Sequence, residues 1–122
     1  MIKVGDLLPA VTFKTRELGE WVEKSSVDLW SNERCVIFGL PGAFTPTCSN
    51  EQLPRFEELA TEFAKYGINN IYCVSVNDAF VMNAWAENQG IQNVTMLPDG
   101  SGEFTEALGM LFKKDNLWFG ER

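Results

Sequence analysis

A chain of 122 residues, 45% hydrophobic and 22% charged, carries enough apolar material for one core and fits a single domain over residues 1–122. Ten basic against seventeen acidic side chains give a net charge of -7 without any cluster of Lys or Arg, so no nucleic-acid partner is expected. No membrane association is expected either, since Met1 to Asp6 lacks the apolar centre of a signal peptide and no run approaches the ~18 apolar residues of a span. Three cysteines set in or beside apolar runs suit a reducing, cytoplasmic setting better than a secreted disulfide framework. The absence of histidine excludes Ser-His-Asp and Cys-His catalysis, and neither a metal nor a cofactor is expected.

Ala10 to Thr15 alternates loosely and Glu20 to Lys24 follows across a turn near Gly19, which predicts a hairpin. Ser26 reads as the cap of a short helix through Val27, Leu29 and Trp30. Cys35-Val-Ile-Phe-Gly-Leu40 is a continuous apolar run with no polar face and predicts a central strand covered on both sides. It delivers the segment Pro41-Gly-Ala-Phe-Thr-Pro-Thr-Cys48. Beyond this, Leu53, Phe56, Leu59, Ala60, Phe63 and Ala64 form a helical stripe ending at Tyr66-Gly67, with the glycine as C-cap. Pro54 leaves two starts open: at Pro54 itself, or near Cys48 with a kink where Pro54 cannot donate to Asn50. The earlier start is preferred, with Ser49 and Asn50 as further candidate caps.

Ile71 to Val76 predicts a second buried strand, and Asn77-Asp78 the entry to a helix through Phe80, Val81, Ala84 and Trp85 up to Gly90. Val94 to Leu97 is a third strand, Pro98 to Gly102 a turn, and Phe104, Ala107, Leu108 and Leu111 a short amphipathic helix. Strands alternating with helices indicate an α/β fold with parallel neighbours and helices on both faces. Trp21, Trp30 and Trp85 read as core, and Cys35 and Cys73, each inside an apolar strand, as small buried hydrophobes.

Cys48 differs from the other two. It stands after a β-rich run, at the start of a helical pattern, with Thr45 where a Cys-x-x-Cys motif would have its first cysteine. A lone sulfur at a helix start points to a nucleophile and not to a dithiol couple. Without histidine, its thiolate has the helix-start N–H groups, the Thr45 hydroxyl and an arginine as the available stabilisers.

Pro41-x-x-x-Thr45-x-x-Cys48 resembles the active-site motif of the peroxiredoxins. Together with Val76-Asn-Asp-Ala-Phe-Val-Met-Asn-Ala-Trp85 it is similar to the peroxiredoxin-5 subfamily, which includes bacterial peroxiredoxin/glutaredoxin hybrids. The likeness continues through Leu97-Pro-Asp-Gly and Phe119-Gly. It implies a thioredoxin fold with an N-terminal hairpin extension, and an antioxidant oxidoreductase that reduces hydrogen peroxide and alkyl hydroperoxides. By the same resemblance Cys48 is the nucleophile, while Thr45 and the N–H groups of Thr47 and Cys48 bind the peroxide oxygens. Pro41 shields the site from water, and Phe44 and Phe119 are apolar walls. Cys73 is then no obligatory resolving thiol, so a one-cysteine cycle with glutathione and glutaredoxin as reductant is implied, in a homodimer.

Members of this subfamily continue past Phe-Gly-x-Arg into a strand with an active-site arginine, a further strand and a terminal helix. The chain is therefore expected to be C-terminally incomplete, lacking those last elements and leaving a sheet edge unpaired. Arg122 resembles the non-catalytic arginine that precedes the active-site one, and no role is assigned to it. The alternative to a thiol peroxidase is a weakly active or inactive remnant serving as an interaction module.

Overall fold

The two-residue turn Leu18-Gly19 joins β1 (Thr12–Glu17) to β2 (Glu20–Ser25) in antiparallel register, with Glu17 opposite Glu20. Both turn residues have positive φ, 52° and 79°, the pairing whose twist matches that of the flanking strands. The computed structural model describes residues 1–31 and 33–122.

α1 (Ser26–Trp30) follows β2 directly, and its cap position is held by Ser25, not by Ser26 as the sequence suggests. The Ser26 hydroxyl is fully buried, accepting from the Val11 N–H at 2.9 Å and donating to the Pro9 carbonyl at 3.0 Å. Buried backbone groups require partners, and those just before β1 find theirs in this hydroxyl, which is thereby unavailable for capping.

β3 (Cys35–Gly39), β4 (Asn70–Ser75) and β5 (Val94–Pro98) form a parallel sheet in the order β3-β4-β5. Cys35 to Leu40, read as a central strand, is thus paired on one side only among the described residues, which matches the expected unpaired sheet edge. β4 is central, with every residue from Ile71 to Ser75 buried, whereas Cys35 to Phe38 are half-buried and Gly39 is exposed. β3 pairs with β4 alone, and its other edge has no strand partner among the described residues. An apolar run records that both faces of a strand are covered. It carries no information about how many of its edges are paired.

Alternation along the strands divides the core in two. Ile71, Cys73 and Val94 pack with Leu53, Met82 and Trp85 on one face. Tyr72, Val74 and Leu97 pack with Val11, Phe13 and Phe104 on the other. α2 (Leu53–Glu58), α3 (Ala60–Lys65) and α4 (Ala79–Asn88) cover the first face; the hairpin, α1 and α5 (Glu103–Ala107) contribute to the second. The expectation of an α/β sheet covered on both faces holds.

Phe13, Trp30, Tyr72 and Phe104 meet edge-on, with Phe13 and Phe104 centroids 5.4 Å apart and Trp30 and Tyr72 6.0 Å apart. Trp85 is fully buried, but Trp21 is not core: it is 58% exposed, with the Arg16 guanidinium 5.0 Å from its ring centroid and Phe80 edge-on at 5.5 Å. The cation over its face gives this tryptophan a stable place at the surface. No helix among the described residues is long and apolar enough to cross a membrane.

The helix ends are built as the sequence implies. At the C-terminus of α3, Gly67 has φ 78°, its N–H donating to the Ala64 carbonyl and that of Ile68 to Phe63, the double closure of a Schellman motif. At the start of α4, the Asp78 carboxylate accepts from the Val81 N–H at 2.9 Å.

α2 is fastened to the entrance of β5 by one carboxylate. Glu57 accepts from the backbone N–H groups of Gln92 (3.2 Å), Asn93 (2.9 Å) and Val94 (3.0 Å), and from the Asn93 side-chain amide at 2.6 Å. Burial opposes the charged form, but the hydrogen bonds from Asn93, Val94 and Gln92 outweigh it and hold the carboxyl below its ordinary value. Because the folded value is depressed, this stabilisation is complete above the ordinary value of 4.5 and is lost as pH falls through the folded one. Glu57→Gln should therefore lower the melting temperature at pH 7 and flatten its decline in acid. Thermal unfolding between roughly pH 3 and 7 checks this, and parallel curves for the two proteins would contradict it.

Candidate active site

Leu40 continues the line of β3, its N–H donating to the Val74 carbonyl at 3.2 Å, and Pro41 then turns the chain out of the sheet. The loop is braced from inside and outside. The Thr45 hydroxyl donates to the Gly42 carbonyl at 2.7 Å, and the Ala43 N–H to the side-chain oxygen of Asn77 at 3.0 Å. Between these braces Phe44 adopts φ 66°, a left-handed conformation unusual for an aromatic residue, with its side chain half-exposed.

Helical geometry begins at Pro46, whose fixed φ suits a first turn. The first helical hydrogen bond runs from the Ser49 N–H to the Thr45 carbonyl at 2.9 Å. Pro46 has no N–H, so the groups ahead of the ladder are those of Thr47 and Cys48. The earlier of the two helix starts is thus the one adopted, and it places the sulfur-bearing residue in the positive end of the helix. In place of a kink at Pro54, the chain makes a π-helical turn over Cys48–Gln52, closed by the Leu53 N–H on the Cys48 carbonyl. Ser49 and Asn50 lie within this turn and cap nothing. The Ser49 hydroxyl accepts from the indole N–H of Trp85 at 2.9 Å.

The Cys48 side chain points inward, 3% exposed, in the core cluster that holds Leu40, Leu53, Cys73 and Trp85. Cys73 is fully buried on β4; burial, and then the proximity of Cys48, push its thiol far above the ordinary range. Cys35 is half-buried, and burial followed by the Glu33 charge raises its thiol as well. All three cysteines are free.

Each of the four arginines has a partner other than the sulfur. Arg16 lies over Trp21 and Phe80, Arg34 donates to the Tyr66 carbonyl, and Arg55 pairs with Glu58. Arg122 donates to the Val76 carbonyl and lies over the Phe119 ring at 5.6 Å. A cavity of about 300 Å³ between β3 and the C-terminal segment is lined by Pro41, Val74, Phe104, Phe112 and Arg122 among others, but not by Cys48, Phe44 or Phe119. The helix start that carries Cys48 therefore lies outside this mostly apolar space.

The fold thus gathers Pro41, Thr45, Thr47 and Cys48 into one loop and turn, sets Phe44 at its surface, and places Phe119 beside Arg122. Two contacts to this loop have no counterpart in the sequence reading: Asn77, taken only as part of a helix entry, and the Trp85–Ser49 hydrogen bond. A tryptophan in an apolar helical stripe signals the second, since a buried indole N–H requires an acceptor.

Comparison with known proteins agrees with this geometry. The redoxin family model matches residues 3–120. A peroxiredoxin of Rhizobium etli is 56% identical over 124 residues, covering 94% of this chain and 69% of its own length. The hybrid peroxiredoxin hyPrx5 of Haemophilus influenzae is 52% identical over 118 residues, covering 97% of this chain, so that the chain spans about half (49%) of that relative. The structure of reduced Prx3 in complex with hydrogen peroxide from Vibrio vulnificus superposes with a TM-score of 0.94 at 39% identity, covering 99% of this chain and 76% of that one.

The three thiol environments separate by reactivity. At pH 7 iodoacetamide should modify Cys48 faster than Cys35 or Cys73, the two thiols whose charged form burial disfavours. Cys35 should become reactive only as pH passes its ordinary value of 9.0. Peptide mapping of the folded protein reads this, and equal modification of all three would remove Cys48 from the nucleophile role.

Proposed function

The chain belongs to the redoxin family and is a peroxiredoxin, and from that premise we propose that it is a thiol peroxidase reducing hydrogen peroxide and alkyl hydroperoxides through Cys48. The observation that carries this reading is the helix start. The first backbone bond closes on Thr45, so the N–H groups of Thr47 and Cys48 remain available beside the sulfur.

The Cys48 thiolate attacks the terminal peroxide oxygen; an S–O bond forms as the O–O bond breaks, the sulfur is oxidised to sulfenic acid, and the departing oxygen leaves as alcohol or water after taking a proton. Negative charge moves from sulfur to the departing oxygen, so both ends of the transition state need donors. The Thr47 and Cys48 N–H groups and the Thr45 hydroxyl supply them. That hydroxyl donates to Gly42 at rest and can rotate its proton toward substrate. Pro41 at the loop entrance limits water, while Phe44 and Phe119 offer apolar contact to an organic hydroperoxide.

The sulfenic acid is returned to thiol from outside. An external thiol, glutathione with glutaredoxin, attacks the sulfur, displaces water and forms a mixed disulfide that a second thiol reduces. Cys73 is a poor internal substitute because burial keeps it protonated on its strand. We place the protein in the cytoplasm, as a homodimer joined around the half-exposed Phe44.

Cys48→Ser should abolish peroxide consumption with glutathione and glutaredoxin, whereas Cys73→Ser should keep it within about threefold of the parent. Loss of turnover in Cys73→Ser, with an obligatory Cys48–Cys73 disulfide found by mass spectrometry, would replace the one-cysteine cycle. Sedimentation across the micromolar range should give a dimer, and a monomer at every concentration would remove that assignment.

A further inference from the structure

We propose that Asn77 is a positioning residue for the peroxide reaction: its side-chain oxygen holds the Gly42–Thr45 loop in the strained form that aims the Thr45 hydroxyl and the helix-start N–H groups at substrate. This rests on the peroxidase reading of Cys48. Asn77 follows β4 and is itself held on two sides. Its backbone N–H donates to the Ser75 carbonyl at 2.8 Å, and its side-chain oxygen accepts from the buried Ser75 hydroxyl at 2.6 Å as well as from the Ala43 N–H at 3.0 Å. Two donors converging on one oxygen set the orientation of the amide.

The bond to Ala43 joins residues 34 apart in sequence, and it falls immediately before the left-handed Phe44. A non-glycine residue at positive φ persists only where its surroundings over-determine it. Here the restraints are the Ala43–Asn77 bond on one side and the Thr45–Gly42 and Ser49–Thr45 bonds on the other. Removing Asn77 leaves the Ala43 N–H unpaired and lets Phe44 relax to negative φ. That rotation re-aims the Phe44–Thr45 peptide, and with it the hydroxyl and the first helical N–H groups. Cys48 itself stays held from the other side, by the core around Leu53 and by the Trp85–Ser49 bond.

The consequence is selective. A hydroperoxide needs aligned donors at both of its oxygens, whereas alkylation by iodoacetamide uses none of them; both reagents must reach the same buried sulfur, so that requirement is common to the two rates. Stopped-flow oxidation of Cys48 by hydrogen peroxide and its alkylation by iodoacetamide, measured on the same protein, give a ratio of rate constants that reports the aim of the donors and cancels general effects on the sulfur. Asn77→Ala should lower this ratio about tenfold, equivalent to about 1.4 kcal/mol in the barrier, with alkylation little changed. Ser75→Ala, which removes only the donor that steadies the Asn77 oxygen, should lower it about threefold and keeps the test open should Asn77→Ala fail to fold. A parent ratio well above that of free cysteine, unchanged in both variants or falling only because the two rates drop together, would overturn the positioning role alone. A parent ratio equal to that of free cysteine would overturn the peroxidase reading and this inference with it.

Discussion

Pro54 has no N–H to give, and the geometry around Cys48 follows from how the chain accommodates that. In an α-helix residues five apart sit about 140° from each other, so Cys48 and Leu53 would diverge. The π-helical turn adds one residue and closes from Leu53 onto Cys48, bringing both side chains onto the same buried face. One missing donor is thereby absorbed without a break, and the sulfur turns toward β4 and α4 while its own N–H stays at the helix start. Leu53, wholly buried among Met82, Trp85 and Ile71, anchors the turn from below.

Two cysteines share the core cluster but not its electrostatics. Cys73 lies on the central strand, where backbone groups are committed to the ladders on either side and burial disfavours charge. Cys48 sits where the ladder has not begun, its own N–H and that of Thr47 coming before the first helical bond. A charge on Cys48 also penalises one on Cys73. Burial and this neighbour together disfavour charge on Cys73.

The parallel sheet organises the rest. Its strands all point the same way, so their C-terminal ends lie together: β3 delivers the Pro41 loop, β4 delivers Asn77, and β5 delivers Asp99, whose carboxylate holds the start of α5 through Phe104 and Thr105. Sites in open parallel sheets form along that edge because loops from adjacent strands meet there. The brace from Asn77 to Ala43 is such a meeting, made by residues remote in sequence.

Local chemistry was legible in the sequence. The hairpin turn at Gly19, the Asp78 cap, the Gly67 closure and the early helix start ahead of Cys48 depend on short-range rules of φ, capping and periodicity, and the structure keeps each of them in place. The pairing of β3 was only partly legible: its apolar run measures coverage of faces and is silent about edges, and among the described residues it pairs with β4 alone, the unpaired edge that the subfamily resemblance implied. The π-helical turn was not legible, since the stripe that begins at Leu53 is out of phase with Cys48 by the one residue the turn inserts. The hydroxyl of Ser26, the surface seat of Trp21 and the amide of Asn77 were likewise decided by tertiary structure. In each case a polar group or a ring takes a partner far along the chain, and a sequence identifies the group without saying which distant segment the fold will bring to it.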